Sequence, residues 1–192
     1  MSDFTLQFER RYSMAHRLLS GAAPRCSVPH GHNELVSVDI VADHERPLDP
    51  GTNMLAEFSV VKKRWFHWID EMVDHSFQIA DTDPLIGYFR EHEPKTLTRC
   101  LITPGDPTTE IRAACFMAKL NVFLAGQGLV CSRLTIHETP TNSVVFTGDP
   151  TQVLPSGDYW WWRSDESVND FERSDEELEI LGLALESGKA SC

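Results

Sequence analysis

Four residues near the start of the chain have types and spacing suited to metal chemistry: His16, Cys26, His30 and His32. His30-Gly31-His32 runs into an apolar alternation. Residues two apart on a strand point to one face, so both imidazoles can converge on a single ion at ~2.0–2.1 Å per bond. Gly31 leaves the opposite face free of bulk. His16 ends an earlier alternating segment, and pairing of the two segments would set it opposite the His-x-His pair. Three neutral imidazoles suit Zn2+ and keep one coordination position for water or substrate. Isolated histidines are usually ordinary surface residues, but three converging through one strand pair are not explained that way. Cys26 keeps a second option open, a closed structural site of one cysteine and three histidines with the thiolate as fourth ligand. In a structural site Cys26→Ala would lose metal or fold; in a catalytic one the metal stays and turnover goes.

These residues need elements to hold them. Phe4, Leu6 and Phe8 alternate with polar residues, as do Val36, Val38 and Ile40, so both segments read as half-buried strands. Between them RLLSGAAPRCSVPHGHN, rich in Gly, Pro and Ser, reads as a long, functionally loaded connection. From 56 to 73 the period changes. Phe58, Val61, Trp65, Trp68 or Ile69, and Met72 fall at helical spacing, with Lys62, Lys63 and Asp70 towards water. The stretch 76–106 is polar and contains Pro, and is assigned little regular structure. A second helix is expected from Asp106-Pro107, with an acceptor at the cap and Pro at the first helical position. Ile111, Cys115, Ala118 and Val122 form its buried stripe, and Gly126 and Gly128 end it. Strands at Val130–Glu138 and Ser143–Thr147 complete the order ββααββ. The expected fold is α+β, an antiparallel four-stranded sheet with two helices on one face. Residues 1–149 make this domain and 150–192 an extension. The extension carries Trp160, Trp161 and Trp162, expected to be buried against the core, then a short acidic helix opened by the capping box Ser174-x-x-Glu177.

Composition narrows the function classes. A formal net charge of −12 over 192 residues opposes binding to nucleic-acid backbones. No apolar run approaches the ~20 residues that span a bilayer, and the charged N-terminus does not read as a secretory signal. A cytoplasmic protein with no membrane partner is expected. The five cysteines are odd in number and scattered, which is no disulfide framework. Cys115 and Cys131 sit in apolar patterns and read as small core residues; Cys26 does not.

The run Ser13-Met14-Ala15-His16-Arg17-Leu18, with Cys26-x-x-x-His30-Gly31-His32-Asn33, resembles the 6-pyruvoyl-tetrahydropterin synthase family. The Cys-to-His spacing is more similar to the bacterial 6-carboxy-5,6,7,8-tetrahydropterin synthase branch, which serves queuosine biosynthesis. Asp74-His75 resembles the family's Asp-His pair after the first helix. Pro107-Thr108-Thr109-Glu110 resembles its Pro-Thr-x-Glu, and Glu138-Thr139 its Glu-Thr closing the third strand. The likeness covers roughly residues 4–148. It implies the tunnelling fold (T-fold), whose ββααββ subunit agrees with the order above, and homo-oligomers of trimers stacked into hexamers with sites at subunit interfaces.

The resemblance also implies roles. The substrate would be 7,8-dihydroneopterin triphosphate, with Zn2+ on His16, His30 and His32 meeting its side-chain hydroxyls. Cys26 would be the base, its thiolate favoured by the ion and His75, since a free thiol near pKa ~8.5 is a poor base at neutral pH. Asp74 would orient His75 as proton donor. Glu138 would accept two N–H bonds from the 2-amino-pyrimidinone edge, a charge-assisted bidentate pair. Thr108 and Glu110 would share that pocket, although both also suit an ordinary first helical turn. Arg17 and Arg25 are the remaining candidates to meet the triphosphate.

Two positions depart from the family: Glu34 follows Asn33 where an aromatic is common, and Glu57-Phe58 replaces the usual Asp-Phe. The expected activity is a zinc-dependent carbon–carbon lyase forming 6-carboxy-5,6,7,8-tetrahydropterin, acetaldehyde and triphosphate. The alternatives are triphosphate elimination to 6-pyruvoyl-tetrahydropterin, and a non-catalytic zinc or pterin-binding module. The last would have no need of Cys26, Asp74 and His75.

Overall fold

The computed structural model describes residues 4–171 except 21, 22, 45 and 46. The first alternating segment becomes β1 (Leu6–His16) and the second β2 (His30–Ala42). They pair antiparallel without interruption from Leu6↔Ile40 to His16↔His30. Because side chains alternate, one face carries Leu6, Phe8, Tyr12 and Met14 from β1 against Val36, Val38 and Ile40 from β2, all buried. The connection is tied down by Leu18 N donating to Cys26 O at 2.8 Å, and by the Asp106 carboxylate accepting from Leu19 N and Ser20 N.

Two long helices cover that buried face. Helix α1 (Phe58–Trp68) continues through one wider π turn, Ile69–Val73, closed by Asp74 N donating to Ile69 O at 2.8 Å. Val61, Trp65, Trp68, Ile69 and Met72 are buried as their spacing requires, whereas Phe58 is exposed. The second long helix packs Phe116 edge-on to Trp68, with ring centroids 5.3 Å apart, and beside Tyr12.

The sheet has six strands rather than four, in the order β4-β3-β1-β2-β5-β6. The additional pair comes from the stretch expected to lack regular structure. Strand β3 (Ser76–Ala80) runs parallel to β1, and β4 (Cys100–Thr103) parallel to β3, with α2 (Leu85–His92) and α3 (Pro94–Leu97) in the crossover. Strand β4 and all of β3 but the half-buried Phe77 are covered on both faces, as is usual for parallel strands, and at four and five residues neither is long enough to stand out by alternation.

Helix α4 (Thr109–Leu124) starts two residues later than Asp106-Pro107 suggests. Thr108 is its cap, accepting from Ile111 N, because the Asp106 carboxylate is spent on the connection after β1. It is buried almost all round, so Phe116, Met117 and Leu120 are covered as fully as Cys115 and Ala118, while Ile111 and Val122 are only half-buried. Strand β5 (Leu129–His137) shifts register against β2 between Asp39 and Ile40, a bulge that puts Cys131 rather than Val130 on the core face. Beyond it Leu134 and Ile136 keep the phase expected, and β6 (Ser143–Phe146) forms the edge.

Residues 150–171 lie over α4. Trp160 and Trp161 are buried as expected, Trp160 stacking on Trp68 at 6.0 Å. The Lys119 ammonium donates to the carbonyls of Trp160, Arg163 and Asp165 at 2.7, 3.0 and 2.6 Å. The acidic helix expected from Ser174 lies outside the described residues. No helix among the described residues is long and apolar enough to cross a membrane.

Candidate active site

The register of β1 and β2 decides where the histidines stand. His16 faces His30 directly, and His32, two residues on, shares their face opposite Met14. Their ligating atoms all lie within 4.8 Å of one another, with His16 Nε2 and His30 Nε2 3.0 Å apart. Three nitrogens on one zinc at ~2.0–2.1 Å would stand about 3.3 Å apart, so the cluster has the right size. The outer nitrogens fit as well: His30 Nδ1 lies 2.8 Å from Val28 O, and His16 Nδ1 3.3 Å from Pro107 O. A carbonyl only accepts, so each Nδ1 carries the proton and each Nε2 turns a lone pair inward. Facing lone pairs repel unless a cation stands between them. Burial first, then the Arg112 cation, pushes the His16 pKa down to about 4, so its ring is neutral, the form that ligates metal.

Among the described residues no fourth Cys, Asp or Glu joins the three histidines. Cys26 is half-buried in the short turn Pro24–Ser27 and forms no disulfide. The closed alternative, with Cys26 as fourth ligand, therefore has no support in this arrangement. The close approach of the strands depends on Gly31, where a Cβ would lie 2.7 Å from the Met14 carbonyl oxygen.

His16 also borders a cleft of about 320 Å³ whose other walls include Thr108, Glu110, Glu138, Asn142 and Ser143. His16 and Glu138 thus share one cavity. Glu138 leans into it with 24% of its side chain exposed. Glu110 is exposed in the first turn of α4, and the Thr108 hydroxyl serves as the cap.

Asp74 and His75 follow the π turn. Asp74 uses one oxygen to accept from Ser13 N at 2.7 Å and the other to hold His75 Nδ1 at 2.8 Å. His75 sits at φ +60°, a left-handed backbone that costs a non-glycine residue about 1 kcal/mol or more, and its N–H is anchored to Ser13 O at 2.7 Å. The imidazole is thereby presented outward with Nε2 unengaged by Asp74. It lines a different, larger cleft of about 600 Å³ with Ser13, Ala15, Phe77, Leu85 and Phe89. Within one chain the Asp74–His75 pair is not brought into the cavity of His16 and Glu138, and Cys26 borders neither cleft.

The family profile described as 6-pyruvoyl tetrahydropterin synthase matches residues 5–149. The chain belongs to that family. A relative in this family from Halobacterium salinarum, named a probable 6-carboxy-5,6,7,8-tetrahydropterin synthase, is 32% identical over 133 residues, covering 68% of this chain and 77% of the relative. The 6-carboxy-5,6,7,8-tetrahydropterin synthase of Rickettsia felis is 28% identical over 132 residues, 67% of this chain and 89% of its own. Among solved structures, an uncharacterized protein from Wolinella succinogenes superposes with a TM-score of 0.62 at 21% identity, covering 76% of this chain and 98% of the other. The 6-pyruvoyl tetrahydropterin synthase of Caenorhabditis elegans gives 0.52 at 23% identity, covering 76% and 96%. These likenesses establish the T-fold, here carrying six strands.

For a member of the 6-pyruvoyl tetrahydropterin synthase family, one part of the site was not visible in sequence. Glu34, noted only as a departure from an aromatic, is fully buried and paired in bidentate fashion with Arg112 of α4, at 2.6 and 2.9 Å. Tyr12 donates to the same carboxylate at 2.6 Å. Thr109 joins in, accepting from Arg112 at 3.0 Å and donating to Glu138 at 2.9 Å. The available signal was a charged Arg inside an apolar helical run, IRAACFMAKL, a pattern that a solvent-facing stripe would produce as well. Arg17, a candidate for the triphosphate, is engaged in a bidentate ion pair with the fully buried Asp83 side chain. Arg25 is exposed.

Proposed function

We propose that the chain is a zinc-dependent lyase converting 7,8-dihydroneopterin triphosphate to 6-carboxy-5,6,7,8-tetrahydropterin, acetaldehyde and triphosphate, the triphosphate leaving by elimination and one water being consumed in the carbon–carbon cleavage that forms the carboxyl group. The observation that carries this reading is the convergence of His16, His30 and His32, of which His16 lines the cleft that also holds Glu138. Two relatives bearing the 6-carboxy name support this product over the pyruvoyl one. Bound zinc would supply Lewis acidity at the substrate's side-chain hydroxyls.

The chain's own groups do the rest. Glu138 accepts the two N–H groups of the 2-amino-pyrimidinone edge, setting the pterin's orientation. Thr108 and Glu110 border the same cavity and bound its width. Cys26, as thiolate, removes a proton from the substrate side chain. His75, held by Asp74 through Nδ1, delivers or receives a proton at Nε2. The separation of the His75 cleft from the Glu138 cleft is answered by the homo-oligomer the resemblance implies, in which a neighbouring subunit completes the site.

The test is product analysis with zinc-loaded protein and 7,8-dihydroneopterin triphosphate. Acetaldehyde should appear in step with the 6-carboxy product; a 6-pyruvoyl product without acetaldehyde would overturn the assignment. Cys26→Ala should retain zinc yet lose turnover about 100-fold or more. Loss of zinc in that variant would favour a structural site with the thiolate as fourth ligand instead.

A further inference from the structure

Glu34 and Glu138 create an electrostatic problem that the fold must resolve. The register of β2 and β5 pairs Val36 with Ile136 and Leu35 with His137. One residue further, Glu34 and Glu138 become neighbours on one face of the sheet. Two carboxylates side by side in a largely buried place repel, and the Arg112 guanidinium lies between them.

The donor count shows how it is shared. The two Nη2 protons of Arg112 go to Glu34 at 2.9 Å and to the Thr109 hydroxyl at 3.0 Å. The two on Nη1 go to Glu34 at 2.6 Å and to Gln78 at 3.5 Å. Neither Nη1 nor Nη2 has a proton left for Glu138, whose nearest oxygen stands 3.6 Å from Nη2; the fifth donor, Nε–H, is buried and engages no hydrogen-bond partner. Because Thr109 accepts from Arg112, its own proton points to Glu138 Oε1 at 2.9 Å. Glu138 is therefore steadied through one oxygen by a neutral hydroxyl, and its other oxygen is left to the cleft. Burial opposes the charge on Arg112, but Tyr12, Glu34 and Glu138 outweigh it, so the residue stays a cation.

We propose that Glu34 is a positioning residue: by occupying Arg112 in a bidentate pair, it prevents Arg112 from closing onto Glu138 and so keeps the Glu138 carboxylate free for a ligand edge carrying two adjacent N–H donors. This rests on the reading of Glu138 as the pterin anchor. Where the family commonly has an aromatic there is no such carboxylate, so the device belongs to the Glu34 and Arg112 combination of this chain.

The probe is pterin itself, titrated by its fluorescence against zinc-loaded protein, with lumazine, which carries an oxo group in place of the 2-amino group, as control. Wild type should prefer pterin. Glu34→Gln should weaken pterin about 10–100-fold, the usual loss for a charge-assisted bond, with lumazine binding and zinc stoichiometry unchanged. Glu34→Asp, which keeps charge and burial but cannot span the fork, should fall between the two and serves if the amide variant does not fold. Adding Arg112→Met to Glu34→Gln should restore pterin binding, an effect that a purely structural role for the pair would not produce. Unaltered pterin preference in both Glu34 variants would overturn the proposal, as would failure of Arg112→Met to rescue. Glu138→Gln separates the two levels. If it keeps the pterin preference, the anchor reading itself fails; if it alone loses it, only the role of Glu34 falls.

Discussion

Gly31→Ala tests the link between strand approach and metal binding. The added Cβ would stand 2.7 Å from the Met14 carbonyl oxygen, whereas ordinary contact begins at 3.4 Å. That oxygen belongs to backbone and has no rotamer to escape into. Strand β2 must therefore move off β1 by about 0.7 Å where His30 and His32 face His16, an overpacking cost of about 1–3 kcal/mol. Metal–ligand bonds tolerate only ~0.2 Å, so the loss should appear in the ion's affinity before the fold is lost. A zinc affinity about 10–100-fold weaker is expected, the range seen when the groups that orient metal ligands are disturbed. Competition against a chelating indicator dye measures this, with far-ultraviolet circular dichroism as the check on folding. Gly87→Ala is the control, since its Cβ would meet nothing within 4 Å and should leave the affinity unchanged. Wild-type zinc affinity in folded Gly31→Ala protein would refute the claim that strand separation sets the convergence of the three imidazoles.

Two further outcomes are expected. Asp74→Asn should lower kcat by about 100-fold or more while leaving zinc content intact, because the amide cannot hold His75 Nδ1 with the same charge; undiminished turnover would remove this pair from the chemistry. Lys119→Met should leave three buried or half-buried carbonyls without their donor and cost about 2–4 kcal/mol, read as a lower Tm in a thermal melt. A Tm within a degree of wild type would mean that Lys119 is dispensable for holding the segment 150–171, which Trp160 packing and the Asn169 bonds to Leu97 O and Cys100 O then secure.

The histidine cluster was legible in the sequence because its information is local. The His30-Gly31-His32 spacing defines a face by strand period alone, and pairing of two alternating strands that follow one another in the chain suffices to bring in His16. The two long helices were legible for the same reason, through apolar spacing in α1 and, for α4, through a polar start near Asp106-Pro107 and the glycines after its end. Thr108, Glu110 and Glu138 could be named in advance through their likeness to family motifs, and the fold draws them into one cleft with His16.

What tertiary structure alone decided are the features that depend on residues distant in sequence. Strands β3 and β4 span only five and four residues, too short for an alternation as marked as that of β1 and β2, and what joins them is tertiary pairing. The cap of α4 fell to Thr108 only because Asp106 was drawn off to Leu19 and Ser20, 87 and 86 residues away. In sequence Glu34 stands out only as a departure from a family aromatic, and Arg112 lies off the stripe assigned to its helix. Their charges are tolerated because 78 residues of chain fold back to place one against the other. A strand's period fixes which way a side chain points; which partner waits there is settled only when helix and sheet close over it.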